Sequence, residues 1–409
     1  MEKIYKREDY LKKIRGFYSD DMIKVISGIR RCGKSFFLKS IIQELMENGV
    51  KEKDIIYIEL DKKEFKNIKT SKQLEKIIDE QIVDNAFKYL FIDEIQNVKG
   101  FETLINSYRE EGNISIFITG SNSYLLSGEL ITKLTGRYIE IEMMTLSFYE
   151  YIDMKRFLNK SVNENIYLEF EEYIRNGGFP KSLYYDNYEE KITYTSSVIN
   201  QIFEKDIKTS NRINDKALFE RIQKFVINNF GAVISIKNTY NYLKKEVKIN
   251  VDRRTIKRYL DILEKAKIIY PCELFDIKSK SVLKGEKKYY LADLSIYYSQ
   301  NTDNRINYGP VLENVMYSYL KSKNYKLSVG YIGKLECDFI ARANYDDYYY
   351  IQVSKDISNK ETEEREYRPF YMIKDLYPRY LFTMDMLLQK RDGVKHENIV
   401  DFIYNNKML

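Results

Sequence analysis

Two hydrophobic patterns divide the chain near residue 145. Before that point, short runs that are almost entirely apolar alternate with longer amphipathic stretches. The runs are, in chain order, Met22–Ser27, Ile55–Leu60, Lys88–Asp93, Ile114–Thr119 and Tyr138–Met143. Strands buried on both faces have such continuous runs, and the helices between them connect parallel neighbours. The pattern predicts an α/β domain built on a buried parallel sheet.

The rest of the chain predicts helices first and mixed structure afterwards. Residues 146–214 have helical periodicity, interrupted by a Gly-rich turn at Asn176–Pro180. Residues 217–290 predict three helices and then a hairpin. The polar stretch Ser299–Gly309 is typical of a linker. The pattern after residue 309 predicts a helix, three strands, a helix and a strand.

The first predicted strand leads directly into a phosphate-binding loop, GIRRCGKS, which matches G-x-x-x-x-G-K-[ST]. Its two glycines allow backbone N–H groups to close around a phosphate, and the following helix adds partial positive charge. Lys34 is predicted to reach the β- and γ-phosphates of ATP, and Ser35 to bind Mg²⁺. The candidate nucleotide-binding residues are Gly28, Ile29, Arg30, Arg31, Cys32, Gly33, Lys34, Ser35 and Phe36.

An acidic pair, Asp93 and Glu94, ends the third apolar run. Because parallel strands end at one edge of a sheet, Asp93 is predicted beside the phosphate loop, where it would hold the Mg²⁺ hydration shell. Glu94 is predicted to activate the attacking water as general base. The strand between the loop and this pair favours an ATPase with a catalytic glutamate over a kinase or GTPase.

Two further residues are candidates for catalysis. Ser121, which follows the fourth apolar run together with Thr119 and Asn122, is the first choice for sensing the γ-phosphate or the water. Its alternative role is to cap a loop. Arg137 precedes the fifth run and is a candidate arginine finger, acting in cis or on a neighbouring subunit. The alternative for Arg137 is an ordinary surface arginine.

Composition disfavours several other classes of protein. A single histidine, His396, cannot serve both a catalytic triad and a metal cluster. The three cysteines are far apart and form no CxxC pair, which disfavours a disulfide framework and a zinc knuckle. No apolar run approaches membrane-spanning length, and the charged N-terminus lacks the apolar stretch of a signal peptide. We therefore expect a cytoplasmic protein without a membrane partner.

The positive charge of the chain is concentrated in one segment. The net charge is +6, yet residues 237–290 alone hold 15 basic and 7 acidic residues. Within this segment an amphipathic helix places four apolar residues on one face and four basic residues around the other. The apolar residues are Ile256, Tyr259, Leu260 and Leu263, and the basic ones are Arg253, Arg254, Lys257 and Arg258.

The order of three helices and a hairpin fits a winged helix with residues 253–265 as its recognition helix. Lysines of the predicted wing, including Lys287 and Lys288, would then lie within reach of phosphate. Duplex DNA, bound through residues 237–290, is the predicted partner. A protein contact or an intersubunit contact through the same basic face is the alternative.

The element order after residue 309 is similar to the restriction-endonuclease core. Glu313 and Asp338 match its first two acidic positions. Gln352 stands where the third acid belongs and Ser354 where the lysine belongs, and neither supplies the charge needed for metal-dependent cleavage. Lys355 is one residue out of register. We expect a nuclease-like scaffold without nuclease chemistry.

The chain as a whole resembles a known family. The segments GIRRCGKS, YLFIDEIQ, ITGSNSYLLS, LTGRYIEIEMMTLSFYEY and GGFP are similar to the predicted AAA+ superfamily ATPases of bacteria and archaea. In that family a P-loop domain precedes a conserved C-terminal domain of unknown function. The resemblance implies ATP binding, slow hydrolysis and a regulatory or defence-type role.

Four domains and two functional hypotheses follow. The domains are a P-loop ATPase core (1–145), a helical lid (146–216), a winged helix (217–298) and a restriction-endonuclease-like domain (299–409). The first hypothesis is an ATP-hydrolysing AAA+ switch or motor that acts through its C-terminal region on DNA, with a protein partner or a second copy of the chain. The second is a DNA-binding regulator in which ATP is only a ligand.

Overall fold

The computed structural model describes residues 3–120, 134–208, 213–249, 251–302, 305–343 and 347–409. The chain divides into two compact units. The first contains residues 1–143 and 201–211, and the second contains residues 144–200 and 212–409. In the described ranges we find no helix with the length and apolar character that crossing a membrane requires.

A five-stranded parallel sheet forms the centre of the first unit. Its strands are β1 (Ile23–Gly28), β2 (Ile55–Glu59), β3 (Lys88–Asp93), β4 (Ile114–Thr119) and β5 (Tyr138–Met143). Their order across the sheet is β2-β3-β4-β1-β5, and every neighbouring pair is parallel. The apolar runs predict each strand to within one residue, so the prediction of a parallel α/β domain is confirmed.

Helices cover this sheet and bury its apolar runs. They are α1 (Glu8–Ile14), α2 (Lys34–Glu47), α3 (Ser71–Gln81) and α4 (Phe101–Glu111). Two interior strands, β1 and β4, are buried at every position. The buried residues of β1 include one charged side chain, Lys24, whose ammonium donates to the carbonyl oxygen of Asp20 and to the hydroxyl of Ser115. Burial lowers the pKa of Lys24 to about 8.

The second unit begins with the helices α5 (Phe148–Phe157), α6 (Ile166–Asn176) and α7 (Tyr188–Gln201). The Gly-rich turn that ends α6 is held by Asp293, whose Oδ2 accepts a hydrogen bond from the Gly178 N–H at 2.8 Å. A side chain at Gly177 would overlap the Asp293 carboxylate, so this position requires glycine. The GGFP element is therefore a structural turn, as the sequence predicts.

The remaining elements of the second unit include one nine-stranded sheet. In chain order they are α8 (Lys216–Asn228), β6 (Val233–Ser235), α9 (Ile236–Lys245), α10 (Arg253–Lys265), β7 (Ile269–Asp276), β8 (Ser281–Leu291), α11 (Ser295–Gln300), α12 (Tyr308–Ser322), β9 (Lys326–Ile332), β10 (Leu335–Arg342), β11 (Tyr348–Val353), α13 (Lys360–Met372), β12 (Arg379–Thr383), β13 (Lys390–Arg391), β14 (Val394–Asn398) and α14 (Ile399–Tyr404). The strand order is β13-β14-β12-β11-β10-β9-β7-β8-β6.

This sheet crosses the predicted boundary between residues 298 and 299. The parallel pairing of β7 with β9 joins the β7–β8 hairpin to the C-terminal strands. The predicted lid helices, in turn, belong to the same compact unit as those strands and not to the unit of the parallel sheet. The finer division into four domains stays a prediction.

Candidate functional site

The phosphate loop connects β1 to α2, and both of its glycines are required by geometry. Gly28 has a φ of 137°, and a Cβ atom there would overlap the carbonyl oxygen of Met143 on the neighbouring β5. Gly33 has a φ of 108° and is the N-cap residue of α2. Residues with side chains rarely adopt such angles. The backbone between them can therefore curve tightly enough to direct its N–H groups inward.

Lys34 lies inside this curve. Its ammonium donates to the carbonyl oxygens of Gly28 at 2.9 Å and Ile29 at 3.3 Å. Only 8% of the residue is exposed. The side chain thus places a positive charge within the loop, where the sequence predicts it.

Ser35 and Asp93 are brought together at the carboxyl edge of the sheet. Asp93 ends β3 and is buried. Burial raises the pKa of Asp93, while hydrogen bonds from the hydroxyls of Ser35 and Thr119 act in the opposite direction. The hydrogen bond between Ser35 and Asp93 makes the two residues predicted to hold Mg²⁺ neighbours. A hydroxyl and a carboxylate are oxygen ligands that Mg²⁺ accepts.

Thr119, at the end of β4, connects the two acidic residues. Its hydroxyl donates to Asp93 Oδ1 and accepts a hydrogen bond from the backbone N–H of Glu94 at 3.1 Å. Glu94 has a left-handed backbone with a φ of 59°, and its carboxylate accepts a hydrogen bond from Gln96. Non-glycine residues in this conformation are uncommon and concentrate at functional sites.

Thr119 thus contacts the acidic pair, whereas the sensing role predicted first for Ser121 stays a prediction. Ser121 and Asn122 lie outside the described residues. All three are polar residues at or just beyond the end of one strand. Only the register of β4 against its neighbours shows that the Thr119 hydroxyl contacts the acidic pair.

Arg137 lies where the parallel strands begin, at the amino-terminal edge of the sheet. It directly precedes β5, and its carbonyl oxygen accepts a hydrogen bond from the Ile23 N–H at the start of β1, at 2.9 Å. The phosphate loop follows the carboxyl end of β1, and β5 runs parallel to β1. Arg137, at the amino end of β5, is therefore at the edge away from the loop. The side chain is exposed. This position does not favour a role for Arg137 in cis. The arginine finger, in cis or toward a neighbouring subunit, stays a prediction.

The two loop arginines contact a short segment that is distant in the sequence. Arg30 forms two hydrogen bonds with Asp206, Nε to Oδ2 at 2.9 Å and Nη2 to Oδ1 at 2.8 Å. Burial would lower the pKa of Arg30, but the hydrogen bonds and charge of Asp206 outweigh burial and raise it. Arg31 donates to Gln201 Oε1 at 3.1 Å. Sequence patterns gave no signal for Asp206.

The other loop residues differ in exposure. Ile29 and Cys32 are fully buried, whereas Phe36, on the first turn of α2, is 52% exposed. The buried Arg7, which precedes α1, donates to the Cys32 carbonyl oxygen at 3.4 Å. Arg7 is a second residue at the loop that the sequence analysis missed, because nothing in its surroundings marks it.

The basic helix α10 has a buried apolar face and an exposed basic face, as the periodicity predicts. Asp252 caps its first turn by accepting a hydrogen bond from the Arg254 N–H at 2.7 Å. The four apolar residues Ile256, Tyr259, Leu260 and Leu263 are buried. The four predicted basic residues Arg253, Arg254, Lys257 and Arg258 are exposed. This exposure leaves their charges accessible to a polyanion.

The prediction that Lys288 of β8 reaches phosphate is wrong. Its ammonium lies 2.6 Å from Glu313 Oε2 and 2.7 Å from Glu336 Oε1, and only 4% of the residue is exposed. The cause is that β8 continues from the hairpin into the nine-stranded sheet, so its C-terminal half is buried. Lys287, the residue before Lys288, has its ammonium 3.4 Å from Glu264 Oε1.

Lys288 completes a buried cluster at the nuclease-like positions. Glu313 lies on α12 and Asp338 on β10. Burial raises the pKa of Asp338 well above its usual range, and the charge of Glu313 adds to this effect. The amide of Gln352 accepts a hydrogen bond from the Asp338 N–H at 2.7 Å and donates to Glu366 at 3.0 Å. Lys288 supplies the positive charge beside Glu313 and Glu336.

A ready-made metal site would be a further candidate site among the residues that the structure describes. Over the described parts of the chain, no group of three or more His, Cys, Asp or Glu side chains is placed to hold a metal ion. A Mg²⁺ ion at a phosphate loop differs from such a site, since nucleotide oxygens and water supply most of its ligands.

Comparisons with known proteins agree with the site. Residues 20–152 match the family model described as an AAA domain, and residues 167–305 match a domain of unknown function. An uncharacterized protein of Haemophilus influenzae is 34% identical over 400 residues, covering 97% of this chain and 98% of that protein. An uncharacterized protein of Methanocaldococcus jannaschii is 29% identical over 371 residues, 87% of this chain and 79% of the relative.

A solved structure agrees in fold. The Walker-type ATPase of Pyrococcus abyssi superimposes with a TM-score of 0.51 at 17% identity, over 72% of this chain and 95% of that one. The phosphate loop, the acidic pair and the strand order thus coincide with a matched AAA domain. The chain belongs to a family of AAA-type P-loop ATPases that includes the Haemophilus influenzae protein.

Proposed function

We propose that this protein hydrolyses ATP and works as an ATP-dependent switch. The observation that carries the proposal is the convergence of Ser35, Asp93, Glu94 and Thr119 on one edge of the sheet, beside the phosphate loop. The AAA domain match supports nucleotide binding, and the position of Glu94 supports turnover.

Each residue has a separate task in this mechanism. The loop N–H groups and the Lys34 ammonium bind the phosphates of ATP, and Ser35 and Asp93 would hold Mg²⁺. When bound, Mg²⁺ neutralises charge that develops on the phosphate oxygens. Glu94 orients and polarises the attacking water. Thr119 fixes the acidic pair through its hydroxyl, which bridges the side chain of Asp93 and the backbone of Glu94.

Lys34→Ala tests the binding half of the proposal. Charge-assisted hydrogen bonds contribute about 1.5–3 kcal/mol each, so we expect ATP affinity to fall about 10- to 100-fold. Titration calorimetry with ATP and Mg²⁺ measures this loss, and the melting temperature shows whether the fold is retained. Lys76→Ala, an exposed lysine of α3, is the control and should bind ATP normally. Equal affinity in Lys34→Ala and the native protein contradicts the assignment.

A second function, binding of duplex DNA, is favoured by the exposed basic face of α10. We infer that Arg253, Arg254, Lys257 and Arg258 contact backbone phosphates, since a basic helix face of this kind neutralises polyanions without base recognition. The order α8-β6-α9-α10-β7-β8 supports a winged helix around this face. Contact with a protein partner or a second copy is the alternative, and the exposed Arg137 is a candidate for the latter.

Salt dependence separates these alternatives. Alanine at Arg254, Lys257 and Arg258 should weaken DNA binding and reduce the slope of log affinity against log salt by about 2 to 3. Fluorescence anisotropy with a labelled duplex at several salt concentrations measures both quantities. Alanine at Lys216, Arg221 and Lys224 of α8, which are exposed and carry equal charge, is the control. Equal losses in the two variants would show that α10 is not the specific contact, and no binding by the native protein favours a protein contact.

A further inference from the structure

The ion pair between Arg30 and Asp206 is the feature of the nucleotide site that its proposed chemistry leaves unexplained. Arg30 is the second residue after Gly28, inside the phosphate loop. Its guanidinium is engaged by both carboxylate oxygens of Asp206, and the two side chains are only 12% and 8% exposed. A loop side chain that could bind phosphate is thus held by a carboxylate.

The guanidinium of Arg30 is also within electrostatic range of the acidic pair. Besides Asp206, the charges of Glu94 and Asp61 act on it. Glu94 marks the position proposed for the attacking water, which is next to the terminal phosphate of ATP. A guanidinium at this place would be within reach of the γ-phosphate and not only of the α- and β-phosphates.

A γ-phosphate competes well with a carboxylate for arginine. The planar guanidinium binds phosphate and carboxylate with the same two-pronged geometry, and phosphate oxygens carry the larger negative charge. ADP lacks this group. Arg30 can therefore distinguish the triphosphate from the diphosphate by whether it stays with Asp206.

Asp206 belongs to a segment suited to pass this difference on. It lies in a single π-helical stretch, Ile202–Ile207, which directly follows α7. Such stretches are rare in proteins, and those that occur are often found at functional sites. Gln201, the partner of Arg31, borders the same stretch. Residues 201–211 group with the parallel sheet, whereas the chain on both sides of them belongs to the second unit. In the sequence, Asp206 thus lies between α7 and α8, in a segment that groups with the first unit while the chain before and after it groups with the second.

We propose that Arg30 and Asp206 form a sensor of the nucleotide state. Without a triphosphate, Asp206 holds Arg30 and the segment around it. When ATP binds, Arg30 exchanges its contact with Asp206 for one with the γ-phosphate, and the segment is released. This proposal rests on the proposed function, because it requires ATP in the loop.

Asp206→Asn tests the sensor through binding. The asparagine competes less strongly for Arg30, so a non-hydrolysable ATP analogue should bind about 10-fold more tightly, while ADP affinity changes less than about 2-fold. Arg30→Gln should bind the two nucleotides with more similar affinities than the native protein does. Asp21→Asn, which removes one charge partner of Arg109, is the matched control and should bind both nucleotides normally.

Hydrogen exchange of residues 202–208 gives a second measurement. Exchange should accelerate when the analogue binds to the native protein and should be fast without nucleotide in Asp206→Asn. If the native protein binds ATP but neither selectivity nor exchange responds as stated, the sensor is wrong and the proposed ATPase stands. If the native protein binds no nucleotide, both proposals fall. Should Asp206→Asn not fold, the loss of triphosphate preference in Arg30→Gln decides alone, since a purely structural pair would not affect it.

Discussion

Glu94→Gln is expected to bind ATP with native affinity and to hydrolyse it about 10²- to 10⁴-fold more slowly. Loss of a general base has an effect of this size, because glutamine cannot take the proton from the attacking water. The amide keeps the shape of the side chain and its hydrogen bond with Gln96. The backbone bond from Glu94 to Thr119 is also retained, so the fold of the site should not change. Phosphate release under saturating ATP measures turnover, and calorimetry measures affinity.

Glu59→Gln is the matched control for this change. Glu59 ends β2, and its position in the sheet is directly opposite Asp93 of β3. Its carboxylate pairs with Lys39 and Lys62 and has no proposed catalytic role. Turnover at the native rate in Glu94→Gln shows that another group is the base. Tight ATP binding without any turnover in the native protein supports the alternative of a DNA-binding regulator with ATP as a ligand.

Lys288→Met is expected to lower the free energy of unfolding of the second unit by about 3–5 kcal/mol at pH 8. Removing one partner of a buried ion pair leaves the other charge without compensation, and the measured costs have this size. Lys288 is the cation for both Glu313 and Glu336, and Asp338 is buried close to them. Methionine fills a similar volume, so the loss reports the charge more than the packing.

The loss should be smaller at pH 5. Burial raises the pKa of Glu313, and Lys288 acts against that rise. Without Lys288 the pKa of Glu313 moves further up, so the folded protein holds a proton that the unfolded chain has released. Stability then falls as the pH rises from the usual carboxyl pKa to the raised one. Chemical unfolding at both pH values measures this dependence.

Lys287→Met is the control, because Lys287 is the neighbouring lysine of β8 and its side chain is 37% exposed. An exposed ion pair contributes about 0–1 kcal/mol, so this variant should be nearly as stable as the native protein. Equal stability of the two variants at pH 8 would mean that the buried cluster does not depend on the Lys288 charge.

The nucleotide site could be predicted from sequence because its parts are local. A strand, a Gly-rich loop and a helix follow one another at Gly28–Ser35, and Asp93 ends a continuous apolar run. Parallel strands bring such ends to one edge whatever their order in the sheet. The contact of Thr119 with the acidic pair was harder to predict. Thr119 and Ser121 are both polar residues at the end of the same apolar run, and only the register of β4 distinguishes them.

Distant partners gave no signal. Asp206 is 176 residues from Arg30, and no periodicity links an arginine in a loop to a carboxylate at that separation. Lys288 was misplaced for a related reason. Its sequence neighbours suggest a basic hairpin, but the C-terminal half of β8 lies within the nine-stranded sheet and is buried.

The sequence by itself determined the parallel sheet, the phosphate loop with its acidic pair and the two faces of the basic helix α10. These features arise from interactions between residues that are close along the chain and repeat with the period of a strand or helix. Only the tertiary structure placed Arg137 away from the loop, paired Arg30 with Asp206 and enclosed Lys288 among carboxylates. Such contacts depend on strand order and register, which long-range packing decides.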